Sequence, residues 1–344
     1  MRKRMILRPK TVYSLLVLVS LGGAVLALAR APAQPPPSPP APAVASPGAA
    51  PIEEVDVVGE RPGPSLWRVS RGDHVLWLLG TLDPLPRKMT WRSREVESVV
   101  MQSQEILASN PSVSAHIGPI MAIRLYLQWR RTEKIPEKAD LRALLPAPLY
   151  ARFAALKMRF APHDSRIEDL QPIFAARRLY EEVIDASGLT SRNDIQDTVV
   201  GLARKHNVPI VRTSLRIEDP RGVLDEVGEI PRQAEINCLD ATVERLETDL
   251  TAMKQRARAW SEGDVDALRK LPFPNQREVC LSAVANAPRI KDLVDRATAD
   301  WNAALEAALA RNRVTLAMKP IYDLIGADGT LAQLRAKGYT VEGP

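Results

Sequence analysis

Histidine is scarce in this chain. Its four copies in 344 residues, His74, His116, His163 and His206, never stand three or four residues apart. That spacing excludes a pair of imidazoles on one helix face, as in an H-E-x-x-H metal site. The two cysteines, Cys238 and Cys280, are too few and too widely spaced for a zinc ribbon or a disulfide-dense scaffold. There is no C-x-x-C, no G-x-S-x-G nucleophile turn and no glycine-rich phosphate loop. Aromatic residues make up only 5%, so Leu, Val, Ile and Ala must fill the core.

An excess of positive charge is lacking too, once its location is considered. The pI is about 9.4 and the formal net charge +6. Five of the basic residues, Arg2, Lys3, Arg4, Arg8 and Lys10, precede Ala29 and no acid does. Beyond Ala29 the balance is 42 basic residues against 41 acidic ones. The basicity belongs to the N-terminus, and the rest gives no electrostatic case for a nucleic-acid partner.

That N-terminus has the form of a targeting segment. A basic stretch is followed by Val12–Ala29, which carries no charge and ends in the small-x-small triplet Ala27-Leu28-Ala29. Residues 1–29 are expected to be a signal peptide, with an uncleaved inner-membrane anchor over residues 12–29 as the alternative. Residues 30–63 follow as a linker, with nine prolines between residues 32 and 51. Such a tract favours extended polyproline II and builds no core. An exported, periplasmic bacterial-type protein is the expectation, with membrane contact only through the N-terminal segment if it is retained. Export favours a disulfide between Cys238 and Cys280, against two buried free thiols. Closing a loop of that length would stabilise by about 4 kcal/mol.

Residues 64–344 read as one α/β domain: a central mixed sheet with a large helical insertion. Leu66–Val69 and His74–Leu79 form a hairpin around Arg71-Gly72-Asp73. Ile106–Ala108, Val208–Val211, Val314–Ala317 and Tyr339–Val341 are further strand candidates. Helical spacing marks residues 92–104, 117–131, 148–159, 173–186, 194–205, 290–310 and 331–336. Between Pro231 and Glu262, Leu239, Val243, Leu246, Leu250 and Met253 make one apolar stripe.

Two strand ends draw attention as chemistry. Gly80-Thr81-Leu82-Asp83 and Lys319-Pro320-Ile321-Tyr322-Asp323 each lead a buried strand into a carboxylate. Ligands bind at such ends in open α/β sheets. If the strands are neighbours, Asp83 and Asp323 face one cleft. There they could hold a divalent cation or share a proton, or each could cap the following turn. Trp91 and Arg92 offer a ligand platform beside Asp83, or a core-edge ring and a solvent charge.

The chain resembles the TraB/GumN family, related to the Tiki metal-dependent proteases, from about Leu66 to the C-terminus. L-L-G-T-L-D-P-L-P at 78–86 is similar to its G-T-x-H-x-x-P block, W-S-E-G-D at 260–264 to its W-x-x-G-D segment, and residues 328–341 to its closing block. The scaffold positions Gly80, Thr81, Pro86, Trp301 and Gly329 match. The family's active positions depart: Asp83 and Asp323 stand where it has histidines, Ser109 where it has an acid, and Ala297-Thr298 where it has R-N. Imidazoles suit transition metals and carboxylates suit harder cations. The resemblance with these departures implies a pseudoenzyme with a binding or regulatory role in the cell envelope. Its partner would be a protein, peptide or small ligand, and no cofactor is expected. A divergent metal-dependent hydrolase using Asp83 and Asp323 with a divalent cation is the alternative, and a structural envelope protein is the second.

Overall fold

The computed structural model describes residues 63–344, except residues 137, 138, 193, 274, 275, 285 and 286. The expected targeting segment and all but the last residue of the linker lie outside the described residues. Among the described residues there are ten strands: β1 (Leu66–Arg71), β2 (His74–Thr81), β3 (Leu85–Pro86), β4 (Glu105–Leu107), β5 (Ser112–Ala115), β6 (Leu189–Thr190), β7 (Ile210–Val211), β8 (Ser214–Ile217), β9 (Val314–Pro320) and β10 (Thr340–Glu342). Six form the central sheet, in the order β10-β1-β2-β9-β4-β7. The hairpin β1-β2 and the edge pair β10-β1 are antiparallel, while β2, β9, β4 and β7 run parallel. The expected hairpin, the mixed sheet and the shared sheet of the 75–79, 210–211 and 314–317 segments are therefore all present.

Composition explains the order. Leu76, Leu78 and Leu79 of β2, Ile106 and Leu107 of β4, and Leu316, Ala317 and Met318 of β9 are nearly or wholly inaccessible. Strands covered on both faces read as continuous apolar runs, which is the parallel-sheet pattern. The helices Pro288–Arg311 and Ile321–Ile325 lie against β2 and β9, and Arg94–Gln102 packs with Asp194–Lys205. Of two small sheets, the antiparallel β3-β6 joins residues 85–86 to the insertion, and the parallel β5-β8 lies within the insertion.

The insertion between β4 and β9 builds a second core from helices, including Pro119–Thr132, Ala147–Phe160, Pro172–Ala186, Arg232–Thr248 and Gln276–Ala283. The apolar stripe of residues 239–253 is divided between two helices, Arg232–Thr248 and Leu250–Ser261, which meet at Asp249. The stripe continues because the break costs no register: the Asp249 amide still donates to the Arg245 carbonyl, and the Met253 amide to the Asp249 carbonyl. Gly263, at φ +71°, ends the second helix, with the Asp264 amide donating back to the Ala259 carbonyl at 2.9 Å. A residue with a Cβ is disfavoured there, which is why the sequence has glycine. Among the described residues no helix is long and apolar enough to cross a membrane.

Cys238 and Cys280 are joined in a disulfide across a Cα–Cα distance of 4.6 Å, buried between Arg232–Thr248 and Gln276–Ala283. Replacing both by alanine should lower stability by about 2–4 kcal/mol, read from urea unfolding, with a steeper slope because the unfolded chain without the cross-link is more expanded.

Glu235, buried in the first turn of the Arg232–Thr248 helix, carries a pH signature. Burial pushes its carboxyl from the ordinary 4.5 up to about 7, against the opposing pull of Arg232. A folded pKa above the unfolded one means its contribution is complete below pH 4.5 and is lost as pH rises through 7. Glu235→Gln should therefore raise stability at pH 8, by about 2 kcal/mol, and change little at pH 4. Urea midpoints at the two pH values check the sign.

Candidate functional site

The carboxyl ends of β2, β9 and β4 lie side by side, because β2 pairs with β9 through Gly80↔Lys319 and Thr81↔Pro320, and β9 with β4 through Leu107↔Ala317. Two indoles fix this edge. Trp260 Nε1 donates to the Gly80 carbonyl at 2.7 Å, and Trp301 Nε1 donates to the Ala108 carbonyl at 3.1 Å. Both rings are buried. Strand β1 pairs only as far as Leu79, so an indole supplies the donor that a strand no longer offers at Gly80. A Cβ on Gly80 would meet Cγ1 of Ile321 at 2.9 Å, so the close approach of the next helix requires glycine. Trp91 is half-buried and stacks edge-on against Trp260 at 5.5 Å. Trp91 packs against the core that surrounds the sheet. Arg92 is half-buried, and its carbonyl lies against Gly63.

Beyond this edge lies an open cavity of about 370 Å3, lined by Thr298, Asn302, Lys319, Asp323, Thr330 and Gln333 among others. It brings Lys319 and Asp323 together; Asp83, Trp91, Arg92 and Ser109 are outside its lining. The Lys319 ammonium sits 4.0 Å from the centroid of the Trp301 ring, a cation–π contact. Burial holds its pKa below the ordinary lysine range, Arg277 adds to this, and Asp323 opposes it. Asp323 lies inside the short helix Ile321–Ile325, and its Oδ1 accepts from Arg277 Nη1 at 3.3 Å. The Ser109 hydroxyl is 3.5 Å from Gln196 Oε1, which Asn110 approaches at 3.4 Å.

Asp83 is exposed, and its charge acts on Tyr180, whose phenol is pushed up to about 12. Burial is the main cause and Arg245 opposes it, while Asp83 and Asp249 add to the rise. Burial likewise pushes Tyr322 up to about 12, with Arg256, Asp249 and Arg245 as its charged neighbours.

These two tyrosines share a buried charge cluster that the motif reading passed over. Asp249 receives both terminal nitrogens of Arg256, one at 2.8 Å, and Arg245 Nε lies 3.5 Å away. All three side chains are at most 7% exposed. Arg245 Nη1 donates to Gln276 at 2.9 Å, and the same guanidinium faces the Tyr180 and Phe273 rings. Phe273 in turn stacks on Tyr322 at 4.1 Å. The sequence did carry a signal: residues 245, 249 and 256 are spaced by four and seven, on one helical face beside Leu246, Leu250 and Met253.

Two guanidiniums around one carboxylate leave the cluster dependent on Asp249. Removing that charge strands buried cations. Asp249→Asn should destabilise the domain by about 3–5 kcal/mol, far more than Asp323→Asn at the half-exposed pair with Arg277, where about 0–1 kcal/mol is expected. Thermal unfolding of the two variants side by side tests the difference.

No curated protein and no solved structure matches this chain. A sequence profile of the TraB/PrgY/gumN family does match, over residues 65–343. That span takes in the whole central sheet, the helical insertion and both indole-pinned strand ends, and the chain belongs to the TraB/PrgY/gumN family.

Proposed function

We propose that this protein is an exported family member that has lost metal-dependent hydrolysis and uses the cavity at the carboxyl edge for binding, in a regulatory role in the cell envelope. The observation that carries the reading is the charge around Asp323. Its carboxylate is paired with Arg277, and the Lys319 ammonium lies at the same cavity. A divalent ion brought to Asp323 would displace one cation and face another. The residues present therefore do not fit a transition-metal centre. A hydrolytic metal needs several fixed ligands and an open position for water. Here the two histidine positions of the family's motifs carry Asp83 and Asp323, and its acid position carries Ser109.

Export is supported from two sides. The basic and apolar N-terminus has the form of a targeting segment, and the Cys238–Cys280 bridge suits an oxidising compartment. A cavity lined by a lysine and hydroxyl and amide side chains suits a polar ligand or a peptide better than an apolar one.

The test is metal analysis of the purified protein followed by peptidase and esterase screens with zinc, manganese and cobalt. The expected result is no metal-dependent turnover. The triple change Asp83→His, Ser109→Glu and Asp323→His should raise zinc affinity over the unmodified protein. Turnover of peptides by the unmodified protein with bound metal, abolished by Asp83→Ala, would replace this reading with that of a carboxylate-based hydrolase.

A further inference from the structure

The helix Pro119–Thr132 turns an apolar stripe to solvent. Ile120 is 69% exposed, Ile123 61% and Leu127 51%. Their spacing of three and four places them on one line along the helix. The opposite side is packed: Leu125 is buried, and the Trp129 ring meets Phe174 edge-on at 5.2 Å. Single exposed apolar residues are ordinary, but a continuous row of them marks an interaction surface.

The charge along this helix says what kind of surface. It carries Arg124, Arg130 and Arg131, all exposed, and no Asp or Glu. At 100° per residue, Arg124 and Arg131 flank the stripe on one side and Tyr126 and Arg130 on the other. Apolar residues edged by arginines and an aromatic ring are the pattern of a helix lying in a lipid headgroup layer, where long basic side chains reach back to phosphates. Fourteen residues span about 21 Å, too short to cross a bilayer and long enough to lie along one. A second copy of the chain is a poorer occupant, since stripe against stripe would bring two sets of arginines together.

We propose that Pro119–Thr132 is a membrane-surface helix. Ile120, Ile123 and Leu127 enter the acyl boundary of an anionic bilayer, while Arg124, Arg130 and Arg131 contact its phosphates. The contact uses none of the residues that line the cavity, and it would orient the domain on the lipid surface.

The experiment places an environment-sensitive fluorophore on Ile123→Cys in the full chain. The native cysteines are bonded to each other, so the new thiol takes the label. Vesicles of phosphatidylcholine with phosphatidylglycerol should shift the emission to the blue, and high salt should weaken the effect. Leu127→Glu should abolish the shift, and Arg124→Glu with Arg131→Glu should weaken binding by at least about tenfold. These side chains are exposed, and an unchanged unfolding midpoint confirms that each variant is folded. A label on Met158→Cys, a 75% exposed position on another helix, should not respond. The proposal is overturned if the Ile123 label stays silent while the protein floats with the vesicles, which would assign binding to the N-terminal segment alone. An equal shift on pure phosphatidylcholine overturns it as well. A shift without lipid that grows with protein concentration overturns it in favour of a second copy.

Discussion

The structure depends on the parallel pairing of β2 with β9, from Val75↔Val314 to Thr81↔Pro320. These segments lie more than two hundred residues apart, yet β9 occupies the place beside β2 and pushes β4 one position outward. Everything between β4 and β9, apart from the short strand β7 and the two small sheets, must therefore be accommodated as helices outside the sheet. That is why the described residues build two large cores, one around the sheet and one within the insertion. Loop-closure entropy rises only slowly with length, so a long insertion can be tolerated when the strands it separates bury as completely as these do.

The same pairing creates the candidate site. A late strand inserted between two early ones brings residues from distant parts of the chain to one edge. Gly80, Lys319 and Ala108 become neighbours there, and two tryptophans from different helices satisfy the carbonyls at Gly80 and Ala108. Each indole also stands in contact with a residue of interest, Trp260 with Trp91 and Trp301 with Lys319. Trp260 and Trp301 thus hold the edge in place without drawing on Asp83, Ser109 or Asp323.

The electrostatics of the edge come from the insertion. Arg245, Asp249 and Arg256 lie where two helices meet, and Gln276 connects Arg245 to Thr242 and to Cys280 of the disulfide. The cluster acts on both Tyr180 and Tyr322, while Asp83 acts on the first of these and Asp323 on Lys319. The two aspartates therefore work against different neighbours: one against a buried phenol, the other against an ion pair and a half-buried lysine.

By itself the sequence determined the six strands of the central sheet, most of the helices and the family, but not the short strands β3, β5, β6 and β8. Leu76–Leu79 and Leu316–Met318 are short apolar runs that their length and flanking turn residues mark as strands, and Gly263 is a residue suited to end a helix in a left-handed backbone. That carboxylates stand at 83 and 323, just beyond two buried strands, was equally legible, because it is a matter of residue identity. Tertiary structure decided what those residues face. No local pattern tells that Arg277 reaches Asp323, that Lys319 rests on Trp301, or that Arg245 and Arg256 share Asp249. Nor did the spacing of residues 120, 123 and 127 reveal that their side of the helix faces solvent, since an apolar stripe reads alike whether or not something covers it. Periodicity is a property of neighbours along the chain, whereas burial and charge pairing depend on which distant segments the fold brings together.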